Sequence, residues 1–275
     1  MLRVFCARRV MWARPARRLT GDQPAFMSDR TFIFGDIHGE IDHLERVLAQ
    51  LPSLATDDTL VFLGDYVDRG PDSRAVVARL MALPARMPAK VVCLRGNHED
   101  AWLRVRREGC DQFVLPPAHG CLAALRSFTG GPVPAPGESA HPDEMELLTM
   151  GDFWPAAVVA WMEALPFWFE NEHGIYVHAG LPRGPKGFLH PREVAVPAML
   201  AWVRTRDFAL HYRGKKVFFG HTPTELLPQE ISLHTPDDPT DMFVTEDTFG
   251  LDTGCGRGGF LTALELPARR GYESR

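Results

Sequence analysis

Cysteine is scarce in this chain: five occur in 275 residues, an odd number with no Cys-x-x-Cys pair. That supports neither a disulfide framework nor a zinc knuckle, and a reducing compartment, the cytoplasm, is the simpler expectation. Long apolar runs are missing too. The densest stretch, Ala156 to Phe169, is interrupted by Glu163 and Pro166 and falls short of the ~20 residues a spanning helix needs, so no membrane segment is expected. Basic charge is not in excess. The net charge of −5 and the pI near 6.1 argue against nucleic acid as a partner. No repeat, linker or low-complexity tract divides the chain, and residues 28–275 are expected to form one domain.

The first 27 residues differ from the rest. Arg3, Arg8, Arg9, Arg14, Arg17 and Arg18 precede the first acid, Asp22. An Arg-rich, acid-poor start fits either an organellar address or an extension ahead of a true start at Met27. On both readings residues 1–27 are expected to be disordered and outside the fold.

Beyond them a rhythm sets in. Thr31 to Phe34, Thr59 to Leu63 and Lys90 to Leu94 are short β-favouring runs. Between them Ile41, Leu44, Val47, Leu48 and Leu51, and then Val76, Val77, Leu80, Met81 and Leu83, recur at helical spacing. A third helix is expected from about Glu99 to Arg107. This alternation predicts parallel strands joined by right-handed crossovers. Strands return at Gly174–His178, Lys216–Phe219, Glu230–Leu233, Met242–Leu251 and Phe260–Leu266 without long helices between them, which predicts a mixed or antiparallel half. The fold class expected is therefore α/β (α+β), two packed mixed sheets flanked by helices. Residues 109–155 break the pattern around the Pro- and Gly-rich run Gly130–Gly137. They are expected to be an insertion that either shapes substrate access or is a plain surface excursion.

Where strands should end, glycine-bracketed blocks carry six metal-ligand side chains. They are Gly35-Asp36-Ile37-His38-Gly39, Gly64-Asp65-Tyr66-Val67-Asp68-Arg69-Gly70, Arg95-Gly96-Asn97-His98-Glu99, His178-Ala179-Gly180 and Gly220-His221. Ligands in parallel sheets collect beyond the carboxyl ends of the strands. Asp36 and His38, two apart, face one space. Asp65 has two oxygens and can bridge two ions ~3.5–4 Å apart. Asn97, one of only two asparagines in the chain, offers a neutral carbonyl oxygen, and His178 and His221 complete the set. Oxygen and imidazole donors without thiolate suit Mn²⁺, Fe or Zn²⁺. One block alone would say little; five in order point to a two-metal hydrolytic site.

These blocks resemble the metallophosphoesterases and, within them, the bacterial and phage-type phosphoprotein phosphatases. The resemblance spans Phe32 to Leu266. It implies that Asp36, His38 and Asp65 bind one metal and that Asp65, Asn97, His178 and His221 bind the other, with Mn²⁺ favoured. It makes His98 and Asp68 the acid pair and Arg69 and Arg95 the phosphate-binding arginines. Arg204 in Ala201-Trp202-Val203-Arg204 is the candidate for a third. The implied activity is serine/threonine phosphatase, on a phosphorylated protein or peptide or small phosphoesters, through water activated by two divalent ions. Symmetrical dinucleoside-tetraphosphate hydrolases share most of these blocks and also resemble Leu251 to Gly259. The acid at Asp68, and Glu99 where those enzymes favour Asp, set this chain apart from them. A silent binding module that kept the fold is the rival of another class, and no ligand of the set is missing. Leu251-Asp252-Thr253-Gly254-Cys255-Gly256 is read as a glycine-rich turn beside the metals, with Cys255 a passive small residue.

Overall fold

The computed structural model describes residues 29–204, 206–234 and 238–275; the basic segment 1–27 lies outside the described residues. In chain order the strands and helices are β1 (Thr31–Phe34), α1 (Ile41–Gln50), β2 (Thr59–Phe62), α2 (Ser73–Arg86), β3 (Lys90–Cys93), α3 (Asn97–Glu108), α4 (Cys121–Thr129), α5 (Pro142–Met150) and α6 (Ala156–Ala164). There follow β4 (Trp168–Glu170), β5 (Ile175–Val177), β6 (Arg183–Gly184), β7 (Gly187–Phe188), α7 (Met199–Trp202), α8 (Arg206–His211), β8 (Val217–Phe219), β9 (Phe243–Val244), β10 (Thr248–Gly250), β11 (Thr262–Leu266) and β12 (Arg270–Glu273).

Two five-stranded sheets run in the orders β12-β11-β1-β2-β3 and β4-β5-β8-β10-β9. In the first, β1, β2 and β3 are parallel, and β11 adds antiparallel to β1. In the second, β5, β8 and β10 are parallel between antiparallel edges. Side-chain alternation explains why both faces of each sheet are apolar. Ile33, Val61, Leu63 and Leu94 meet Tyr176, Phe218, Phe249 and Leu251 between the sheets. Phe32, Phe34, Leu60 and Phe62 point the other way, onto Val47, Val76 and Leu80 of the helices. Ile175, Val177, Val217 and Phe219 cover the far side with Leu200 and Phe208. The layers are helix, sheet, sheet, helix, as the mixed α/β expectation had it.

Departures are local. Glu230–Leu233 is not a strand: Gln229–Ile231 is a single 3₁₀ turn after Pro228, because a proline lacks the N–H a ladder needs. Met242–Leu251 is two short strands, β9 and β10, rather than one. The short strand β4 and the last strand β12 have no counterpart in the expected elements; each forms by antiparallel pairing, with β5 and β11 respectively. The region 109–155 contributes α4 and α5, and Arg126 of α4 ties it together through Glu138 and Glu144, both at 2.7 Å.

Candidate active site

The loops leaving β1, β2, β3, β5 and β8 meet at one end of the two sheets. Their side chains form a closed circuit. His38 Nε2 lies 3.9 Å from Asp36 Oδ2 and 3.5 Å from Asp65 Oδ2. Asp65 Oδ1 is 3.3 Å from His178 Nε2, which is 3.0 Å from Asn97 Oδ1. Asn97 Oδ1 is 2.7 Å from His221 Nδ1, and the His221 backbone N–H donates back to Asp36 at 3.0 Å. All six side chains are buried.

The backbone is bent to achieve this. Among the described residues seven non-glycines have positive φ, and five of them are His38, Asp65, Asp68, Arg69 and His221. Left-handed backbone costs a non-glycine residue roughly 1 kcal/mol or more and persists where surrounding structure enforces it. Glu99, fully buried, is one enforcer: its carboxylate accepts the N–H groups of Asp65, Tyr66 and Gly96 at 2.8–3.0 Å. Burial, then Asp65, pushes its pKa up to about 7. Close approach requires glycine at two points. A Cβ on Gly96 would stand 2.2 Å from Asp65 Oδ1, and one on Gly220 would stand 2.0 Å from Asp36 Oδ1.

The donor set fits divalent cations. His38 Nδ1–H and His178 Nδ1–H are donated to the carbonyls of Val67 and Leu63 at 2.9 and 3.0 Å, which leaves each Nε2 lone pair facing inward. His221 Nε2 is buried with no hydrogen-bond partner among the described residues. The triads His38–Asp65–His98 and Asp65–His178–His221 each hold three donor atoms within 4.8 Å of one another. Negative charge is under-compensated: burial and then Asp252 push the Asp36 carboxyl well up. Burial opposes charge on His178, but Asp65, Asp36 and Glu99 together outweigh it and lift the imidazole to about 9. A cation between these groups would relieve both.

Beside this circuit His98 Nδ1 is 2.6 Å from Asp68 Oδ2, and its Nε2 is 3.8 Å from Asp65 Oδ2. Asp68 is further held by Trp102 Nε1 at 3.1 Å and by the Cys121 thiol at 3.5 Å. Arg69 spans the mouth: Nη1 contacts His38 Nε2, Nη2 is 3.1 Å from His98 Nε2, and its buried Nε has no hydrogen-bond partner among the described residues.

Arg95 is placed differently. Its guanidinium donates to the Glu163 carbonyl at 2.5 Å, lies 3.7 Å from Asp100 and stacks 4.6 Å over Phe167; its described contacts do not reach the Asp/His circuit. Arg204 is exposed, and its charge helps depress the His221 pKa after burial and His178. The turn after β10 lies against the centre as expected. Cys255 is buried there with its thiol 3.4 Å from the Ile37 carbonyl.

Three site residues had no expected role: Trp102, Cys121 and Asp252. Only Asp252 had a signal, its place in the glycine-rich turn. Trp102 follows His98 by one helical turn, a spacing that also fits an ordinary core aromatic.

Comparison with known proteins decides the family. A model described as calcineurin-like phosphoesterase matches residues 30–251. The chain belongs to the calcineurin-like phosphoesterases. Such proteins are metallophosphoesterases that use divalent ions, which agrees with the donor set above. Serine/threonine-protein phosphatase PP1-1 of Saccharomyces cerevisiae is 42% identical over 67 residues, 24% of this chain and 22% of the relative. The chain thus matches about a fifth of that relative's length. Solved structures of similar fold include a protein described as a diadenosine tetraphosphatase. Its TM-score is 0.55 at 21% identity, over 90% of this chain and 93% of that one. A cold-active protein-tyrosine phosphatase of a psychrophilic Shewanella has a TM-score of 0.54 at 15% identity, over 90% and 81%. A Saccharomyces cerevisiae serine/threonine phosphatase with similarity to human PP5 has 0.51 at 15%, over 90% and 79%. At these identities the likeness is one of fold. Among the described residues of this phosphoesterase no helix is long and apolar enough to cross a membrane.

Proposed function

We propose that this calcineurin-like phosphoesterase is a two-metal phosphomonoesterase acting on phosphoserine or phosphothreonine in a protein or peptide. The observation that carries the proposal is the 2.6 Å pairing of His98 with Asp68 at the edge of the Asp65-centred circuit. In this reading Asp36, His38 and Asp65 would hold one divalent ion, and Asp65, Asn97, His178 and His221 the other, with Mn²⁺ the first candidate and Fe or Zn²⁺ the alternatives. Divalent ions bound there would supply an activated water as the nucleophile.

The chain's own residues do the rest. Arg69, with a planar guanidinium and an unpartnered Nε, grips the phosphoryl oxygens as charge grows on them. As oxygen bonds to phosphorus and the ester P–O bond breaks, the leaving alkoxide takes a proton from His98 Nε2 and departs as the alcohol. Asp68, on the far nitrogen, accepts the Nδ1–H and orients the ring. Trp102 and Cys121 keep Asp68 from rotating away. Arg95 acts at one remove, bracing Asp100, which accepts the Trp202 indole N–H at 2.8 Å. Arg204 serves at the rim.

The test is a panel on manganese-reconstituted protein, comparing phosphate release from phosphoserine, phosphothreonine and phosphotyrosine peptides with ADP formation from diadenosine tetraphosphate. Fastest turnover of the phosphoserine or phosphothreonine peptide is expected. Preferential ADP formation would replace this proposal with symmetrical dinucleoside-tetraphosphate hydrolysis. Two bound metals with no turnover at all would make the protein a binding module.

A further inference from the structure

Helix α3 ends at Glu108, and Gly109 closes it in left-handed backbone. The chain then doubles back along α3 before Cys121 opens α4, through two 3₁₀ turns, Asp111–Phe113 and Pro117–His119. Both ends of this return are anchored. Val114 is buried in the helix-side core. At the far end the Arg69 N–H donates to the Gly120 carbonyl at 3.0 Å, and a Cβ on Gly120 would stand 2.5 Å from the Arg69 Cα. The segment is thus fastened to the residue that grips the phosphoryl group.

Between the anchors, the partly buried Phe113 meets three rings. Its ring centre is 4.9 Å from that of His98, at 87°. It stacks on His119 at 4.2 Å and 23°, and Trp202 stands edge-on to it at 5.4 Å and 85°. The two backing rings are themselves tied: His119 Nδ1–H donates to the Phe113 carbonyl at 2.5 Å, and the Trp202 indole donates to Asp100. His98 is consequently held from several directions. Asp68 takes its Nδ1, the His38 ring lies edge-on at 4.7 Å and 72°, and Phe113 closes the side open to the surface segment. Edge-to-face rings at these separations attract one another, and close packing leaves an imidazole little room to turn. Phe113 brings no polar atom to the site, so its effect on the chemistry passes through the placing of His98 Nε2.

That placing matters unequally to different esters. An alkoxide needs a proton as it leaves, whereas a nitrophenoxide spreads its charge over the ring and departs without one. A well-placed acid therefore speeds the first reaction far more than the second.

We infer that Phe113 is a positioning residue for His98, and that through it the segment 109–120 fits the site to alkyl rather than aryl phosphate esters. The inference rests on the proposed role of His98 as proton donor.

The test compares a phosphoserine peptide with p-nitrophenyl phosphate as substrates of the manganese-reconstituted protein. In Phe113→Ala, kcat on the peptide should fall about tenfold or more beyond any fall on p-nitrophenyl phosphate, a part of what a general acid supplies. The peptide KM should stay within about threefold, since no ground-state contact is removed. Phe113→Tyr, which keeps the ring, should recover most of the loss. Phe113→Leu keeps apolar bulk and so the fold, and the same selective loss is expected of it. Equal loss on both esters, or no loss on either, overturns the inference. So does a raised KM with kcat intact, which would make Phe113 a binding contact. Failure of the underlying reading looks different: His98→Asn itself would then lose no more on the peptide than on p-nitrophenyl phosphate.

Discussion

At the scale of single residues the centre separates groups that would hold ions from groups that move protons. His98→Asn should keep both metals yet lower kcat by a factor on the order of 10² to 10⁴ on an alkyl phosphate, where the leaving group needs its proton most. Metal analysis beside steady-state kinetics checks it, and unchanged turnover would remove His98 from the mechanism. Trp102→Phe tests the support behind the pair. It deletes one donor to a buried carboxylate while keeping an aromatic ring, so a loss of about 1–3 kcal/mol in stability is expected. A fall in kcat with little change in KM should accompany it, read by denaturant titration and kinetics together. Neither Trp102 nor Cys121 could be tied to Asp68 from the chain alone. The distances that matter, 3.1 and 3.5 Å, join positions 34 and 53 residues apart.

At the scale of elements, what matters is how tightly the loops after β1, β2, β3 and β8 are cinched. Gly96→Ala places a methyl group 2.2 Å from Asp65 Oδ1 and 2.3 Å from the Asp65 nitrogen. Since the obstacle is backbone and a buried carboxylate, relief requires moving β2's loop away from β3's. We expect loss of metal affinity together with a destabilisation of about 2 kcal/mol or more, measured by calorimetric titration and thermal melting; a variant with native metal content would refute the packing argument. The segment between α4 and α5 makes a pH-dependent prediction. Hydrogen bonds from Arg126 and from backbone N–H groups hold the Glu138 and Glu144 carboxyls below their ordinary value of 4.5. The folded state therefore binds those protons less readily than the unfolded chain. The stabilisation is present above about pH 4.5 and fades as pH falls through the lowered values. Amide exchange between residues 130 and 145, corrected for the intrinsic slowing from neutral pH to pH 4, should show a loss of protection, and Arg126→Met should abolish that difference. Why the short strands β4 and β12 were illegible is also a matter of elements: their pairing partners, β5 and β11, decide their conformation, and three or four residues carry too little periodicity to show it.

At the scale of the whole molecule the two sheets are held both by apolar packing and by the polar circuit at their end. His178 and His221 belong to one sheet, Asp36, Asp65 and Asn97 to the other. Ions bound across that seam stabilise the folded state in proportion to their occupancy. Removing metal with a chelator should lower the melting temperature, on the order of 10 °C for a site filled to a thousand times its dissociation constant. Re-addition of Mn²⁺ should restore it. Differential scanning calorimetry decides the point, and an unchanged transition would mean that no ion bridges the sheets.

By itself the sequence determined the local grammar. Alternating apolar residues and helical spacing gave β1 to α3 nearly to the residue, because those segments bury a face that only one conformation can bury. The blocks around Asp36, Asp65, Asn97, His178 and His221 were visible because polar side chains bracketed by glycine at strand ends have few other uses. What the tertiary structure alone decided was convergence and orientation. It closed six side chains into one circuit, bent five non-glycine residues into left-handed backbone, turned Arg95 toward Asp100 and pressed the turn at Gly256 against His38 and Arg69. Those outcomes depend on contacts between segments distant in the chain, and such contacts leave no period or spacing in the sequence that makes them.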